Sequence, residues 1–307
     1  MSANAPRSID EYLKQLRTAL ANEDGALIQD ALYDAEEYLR AEVAAHPDRS
    51  EADVLELIAS TYGAPDEVAA AYRDNEAKVK AALKTPAAPA ATHASGVRRF
   101  FGVFMDVRAY TSLFYMLLTL ATGIVYFTFV VTGVALSAGL AVLVIGIPFF
   151  LVFIGMARVL ALGEGRLIEA TTGERMPRRP LHPGPSASWL TRIGDMLKDG
   201  RTWTTLLYLL LMLPLGILYF TIAGTGLALG LRLALAPLVL VVSDLGLLPI
   251  DSGMIQIDGL SYGAPTSVLG ALLCMAFGVV ILALMLHAAR GIARGHARLA
   301  KVLLVTP

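Results

Sequence analysis

Apolar positions along the first 83 residues recur at helical spacing, and short polar stretches interrupt them. Ile9, Tyr12, Leu13, Leu16, Ala19 and Leu20 share one face of a helix that opens at Ser8, with Glu11 three residues on in a capping box. Ile28, Leu32, Ala35 and Leu39 stripe a second helix from about Ala26 to Ala45. A third starts at Ser50 and ends at Gly63, placed for a left-handed C-terminal cap. A fourth begins at Pro65, with acids in its first turn. Together these predict a compact all-α bundle over residues 1–83. Residues 84–96, rich in Pro, Ala and Ser, read as a linker, and 97–109 as a short amphipathic helix at a membrane face.

Beyond Arg108 the pattern changes to long apolar runs. Uncharged stretches at 110–130, 134–157, 203–223 and 266–287 are each long enough to cross about 30 Å of hydrocarbon. The chain also repeats itself. Asp106–Leu136 aligns with Asp199–Leu229 at an offset of 93, with 17 of 31 positions identical. Ala157–Leu167 aligns with Ala289–Leu299 at an offset of 132, so the second copy carries 39 extra residues. The expectation is a polytopic domain of two repeated helical hairpins, turned at Val131–Gly133 and Gly224–Gly226. Both would enter from the same side, related by an axis along the membrane normal. Gly123, Gly216, Gly226 and Gly230 permit close helix contact. Leu227–Val242 contains Arg232 and Pro237, and reads as lying along or dipping into the outer interface within an outer segment, 225–265.

Charge sharpens this division. Residues 1–84 hold 9 Lys/Arg against 17 Asp/Glu, and the remainder 16 against 9. An acidic front argues against direct nucleic-acid binding. Arg98, Arg99, Arg108, Arg158, Arg201 and Arg290 are the expected cytoplasmic anchors, which puts both termini in the cytoplasm of a bacterial cell with the body in its inner membrane. The single cysteine, Cys274, gives no disulfide framework. No nucleophile motif, phosphate loop or metal-ligand spacing occurs, so no catalytic residue, cofactor or metal is assigned and the chain is read as a non-enzyme. His287 is expected at the membrane interface. Tyr126, Thr128, Tyr219 and Thr221, paired by the repeat, are the candidate lining of a ligand pocket.

Two family resemblances follow from these residues. "IDEYLKQLRTAL", "DALYDAEEYLRAEV" and "LIASTYGAPDEVAAAYR" resemble the HAAS signalling domain, whose Gly-x-Pro turn would here be Gly63–Pro65. That resemblance implies a cytoplasmic protein partner, such as a PadR-type transcription regulator. The segment from Tyr110 to Pro177, with its "VIGIP" run and "ARVLALGEGRL" exit, is similar to the putative sensor domain at the front of actinobacterial histidine kinases. No kinase follows in this sequence. The expected function is a multi-pass sensor that passes an envelope or lipid-phase stimulus through Arg98–Arg108 to the helical front. A small transporter or an accessory subunit of a transport complex is the alternative, and a lipid-modifying membrane enzyme is a third. The bilayer is an implied partner, and the glycine faces admit a homodimer.

Overall fold

In the computed structural model, residues 5–83, 96–141, 146–177, 198–245, 254–257, 260–263 and 267–305 are described. The linker at 84–95 and most of the outer segment lie outside them. The fold is all-α, with one small β-hairpin. Two compact units divide the chain: Met1–Thr92 with Val130–Tyr208 and Arg298–Pro307, and His93–Phe129 with Leu209–Ala297.

In the first unit the front folds as four helices, α1 (Ile9–Ala19), α2 (Gly25–Ala45), α3 (Glu51–Ala59) and α4 (Pro65–Leu83). Their ends follow from capping chemistry. Ser8 Oγ accepts from Glu11 N at 3.2 Å, Asp24 Oδ1 from Ala26 N at 3.0 Å and Ser50 Oγ from Asp53 N at 3.3 Å. Gly63 takes φ +105°, where a side chain would be strained, and Pro65 is the first residue of α4. The Tyr12 hydroxyl donates to the Gly63 carbonyl at 2.9 Å, which ties this turn to the core of Leu16, Leu20, Leu39 and Ile58. Burial pushes the Tyr12 hydroxyl's pKa well above its ordinary value.

After α5 (Gly96–Phe101) and a 3-10 turn (Gly102–Met105), the chain forms α6 (Val107–Leu140), α7 (Gly146–Thr172), α8 (Gly200–Ala234), α9 (Ala236–Asp244) and α10 (Val268–Leu304). α6, Pro148–Thr172 of α7, α8 and α10 are long and apolar enough to cross a membrane. They outrun the expected spans because the predicted turns are absent: α6 runs through Val131–Gly133 and α8 through Gly224–Gly226. Those glycines serve packing instead. A Cβ on Gly133 would overlap the Phe153 ring, and one on Gly226 would lie 2.5 Å from Met285 Sδ. Positions 153 and 285 are equivalents at the 132-residue offset, so both copies use one glycine for one hairpin contact.

The 39-residue addition falls at the apex of the second hairpin. Gly146 packs on Leu140–Ala141 in the first copy, and its equivalent Gly278 packs on Gly230 and Ala234 in the second. The expected interfacial segment 227–242 is divided: α8 claims its first half and α9 follows after a break at Leu235. Pro237 explains the break, since it has no N–H to donate back along the helix. β1 (Met254–Ile257) and β2 (Leu260–Gly263) pair antiparallel, with Ile255 opposite Tyr262.

The second unit holds the crossing of the two copies. A Cβ on Gly123 would sit 2.5 Å from the Met212 carbonyl oxygen, and one on Gly216 2.5 Å from the Thr119 carbonyl oxygen. Met212 is the repeat equivalent of Thr119, so the contact is reciprocal, as at a two-fold interface. Tyr115 and Tyr219 meet on His296, with ring centroids 5.4 and 5.6 Å away. Rising positions 115, 119 and 123 on α6 thus face falling positions 219, 216 and 212 on α8. The two helices run antiparallel along this contact, whereas repeats related by an axis along the membrane normal would run parallel. A face carrying a glycine notch one turn from an open carbonyl complements itself in this sense.

Candidate functional site

The site is the contact between the bundle and the charged ends of the long helices, all within the first unit. α7 stops at Thr172. Gly173, at φ +75°, reverses the chain, and its N–H still donates to the Glu169 carbonyl at 2.9 Å. The following segment folds back along α7, burying Met176 fully, with its Cβ 3.4 Å from where a Cβ of Gly165 would be. Arg175 is thereby aimed at the bundle. One guanidinium nitrogen contacts Asp30 of α2 at 3.0 Å, and another contacts Glu76 of α4. Side-chain exposure is 12% for Arg175, 7% for Asp30 and 9% for Glu76. Two carboxylates so far from water need a cation between them.

Around this triad lie weaker ties. Lys301, near the end of α10, reaches Asp24 at 2.6 Å and Glu174 at 3.8 Å. Asp24 holds both roles because its other oxygen caps α2. Arg201, in the first turn of α8, donates to Gln29 at 3.1 Å. The start of α2 therefore grips the α7 exit, the α8 start and the α10 end. These contacts join residues separated by 99 positions or more and show no local signal.

Of the expected anchors, Arg98, Arg99 and Arg108 are exposed. The other three join ion pairs or hydrogen bonds. Asp106 caps α6 through Arg108 N at 3.0 Å and pairs with Arg290 at 2.7 Å in the second unit. Its equivalent, Asp199, accepts from Arg201 N at 3.0 Å and pairs with Arg158 at 3.3 Å in the first. In each case the aspartate of one copy holds the arginine of the other. Tyr126 and Tyr219 are buried, whereas Thr128 and Thr221 are exposed, so each tyrosine and the threonine after it face different ways. The Thr221 hydroxyl donates to the Ile217 carbonyl at 2.7 Å. His287 Nε2 lies 3.1 Å from the Phe100 carbonyl and its ring stacks on Phe100, which docks α5 on α10.

Sequence reasoning passed over two buried polar groups. His296 is 1% exposed with Nδ1 3.3 Å from the Tyr219 hydroxyl, and Glu164 is fully buried. They are equivalent positions, 132 apart, on stripes of small residues such as Ala289, Ala293, Ala297 and Ala300. That coincidence was the available signal. Among the described residues, no group of three or more His, Cys, Asp and Glu is placed to hold a metal ion.

Four membrane-capable helices with a docked helical bundle define a multi-pass membrane protein. Residues 115–304 match the family model described as "Putative sensor", and the chain belongs to that family. No curated protein and no solved structure matches the chain.

Proposed function

We propose that the protein is a multi-pass sensor of the bacterial inner membrane whose cytoplasmic bundle, a HAAS-like domain, is its output. An envelope or lipid-phase stimulus acts on the membrane helices, and the bundle responds by changing its docking on their ends. A cytoplasmic protein, of the PadR-type regulator class, then reads the exposed face. The observation that carries this reading is the buried Arg175 between Asp30 and Glu76, which couples the α7 exit to two helices of the bundle. A stimulus acts by binding the docked and released states unequally. The body performs no catalysis in this reading.

A second reading rests on the antiparallel crossing of the copies. Transporters often pair inverted repeats about a shared site, so a small transporter or an accessory transport subunit is the alternative. One experiment separates them. The full-length protein and a form lacking residues 1–83 are purified gently from native membranes, and the co-purifying proteins are identified. A transcription regulator lost with the bundle supports the sensor. Transport components retained by both forms would overturn it.

A further inference from the structure

A cavity of about 70 Å³ opens in the first unit beside the docking contacts. Arg158, Arg201, Gln29 and Thr205 supply its polar lining, and Leu162 and Leu304 part of an apolar wall. We propose that it binds a phosphate group, carried by an anionic lipid or free in solution, between Arg158 and Arg201.

Charge comes first. Two guanidinium groups face the cavity with one carboxylate, Asp199, beside them. Asp199 gives one oxygen to the Arg201 backbone N–H and the other to Arg158 at 3.3 Å. Arg158 also donates to Thr202 at 3.2 Å, and Arg201 to Gln29 at 3.1 Å. Arg201 Nε is buried and has no acceptor. A buried charged donor without an acceptor is costly, and guanidinium geometry suits phosphate oxygens.

The repeat supplies a second copy of the same three residues. Arg290, Asp106 and Arg108 are the equivalents of Arg158, Asp199 and Arg201. There Arg290 and Asp106 close to 2.7 Å, and Arg108 points into the surroundings, exposed. Here the pair is looser and the second arginine is drawn in beside a cavity. One copy keeps its charges matched, and the other holds a net positive charge around empty space. Size agrees, since the volume would hold about five waters at the space one needs, enough for a phosphate group. This site does not depend on the sensor reading.

The test uses the full chain in phosphatidylcholine nanodiscs, wild type beside Arg201→Gln, Thr205→Leu and the exposed-site control Arg99→Gln. Thr205→Leu fills the cavity without removing charge. Binding is read by native mass spectrometry with 10% phosphatidic acid in the disc in one arm, and by a melting shift with inorganic phosphate in the other. Expected is retained phosphatidic acid or a phosphate-dependent shift in wild type and Arg99→Gln, weakened at least tenfold in both cavity variants. Retention of the lipid alone identifies a headgroup, and a shift with inorganic phosphate identifies a free anion. Equal binding in wild type and both cavity variants, or no binding in either arm, overturns the proposal.

Discussion

Replacing Arg175 by alanine tests the docking contact where it is most concentrated. The side chain is 12% exposed and lies between two carboxylates that are less exposed still. Breaking a buried ion pair by removing one partner costs about 3–5 kcal/mol. At about 1.4 kcal/mol per tenfold, that lowers the docked-to-released ratio by roughly two to three and a half orders of magnitude. The remaining ties do not offset it: Lys301 and Asp24 are each about a quarter exposed, and such pairs contribute about 1 kcal/mol or less. The assay is a spin-label distance between Ala170→Cys on α7 and Lys78→Cys on α4, both exposed positions, in a Cys274→Ala background. Wild type should give one narrow distribution and Arg175→Ala a broad one. The triple variant Arg175→Met, Asp30→Leu, Glu76→Met, which replaces the ion cluster by apolar side chains, should narrow it again. An unchanged narrow distribution in Arg175→Ala would mean that the ion cluster does not hold the bundle in place.

Three further outcomes are expected. Gly123→Leu drives a side chain into the α8 backbone, so it should lower the melting temperature sharply or abolish monodisperse protein, whereas Gly155→Leu, with open space around it, should leave both near wild type. Asp106→Arg and Arg290→Asp should each destabilise, and the double reversal should recover about 0.5–1 kcal/mol of coupling in a double-mutant cycle, since the pair is a third exposed. The bundle should lose stability as pH rises above 10. Tyr12 has a raised pKa in the fold, chiefly from burial, so its contribution is complete below the unfolded value near 10 and is lost as pH climbs beyond it. Tyr12→Phe should cost about 1 kcal/mol at neutral pH through the lost bond to Gly63. It should also flatten the alkaline decline in a pH series of melting curves.

The bundle was largely legible because its punctuation is local: Ser8, Ser50 and Pro65 each act within four positions of themselves, although α3 ends at Ala59 with Ser60 as its cap and does not run on to Gly63, which instead shapes the turn into α4. The repeat was equally plain, and the glycines at 123, 216, 226 and 230 do sit at close helix contacts. What misled was the meaning of Gly133 and Gly226. Thr-Gly between apolar runs reads as a turn, but inside an uninterrupted apolar helix the glycine removes a side chain where another helix presses. The direction of the crossing was hidden for a related reason, because a small-residue notch can complement itself in either sense. Arg175 looked like one more basic residue after a membrane helix, and its partners lie 145 and 99 positions away. Only the fold-back after Gly173 brings them together.

In the proposed mechanism, docking of the bundle governs what a cytoplasmic partner sees. The direct measurement is the amount of protein partner co-purified from native membranes by wild type and by Arg175→Ala, normalised to the bait. The same partner is expected from both, with an amount that changes at least tenfold when Arg175 is removed. Equal amounts from both would contradict it.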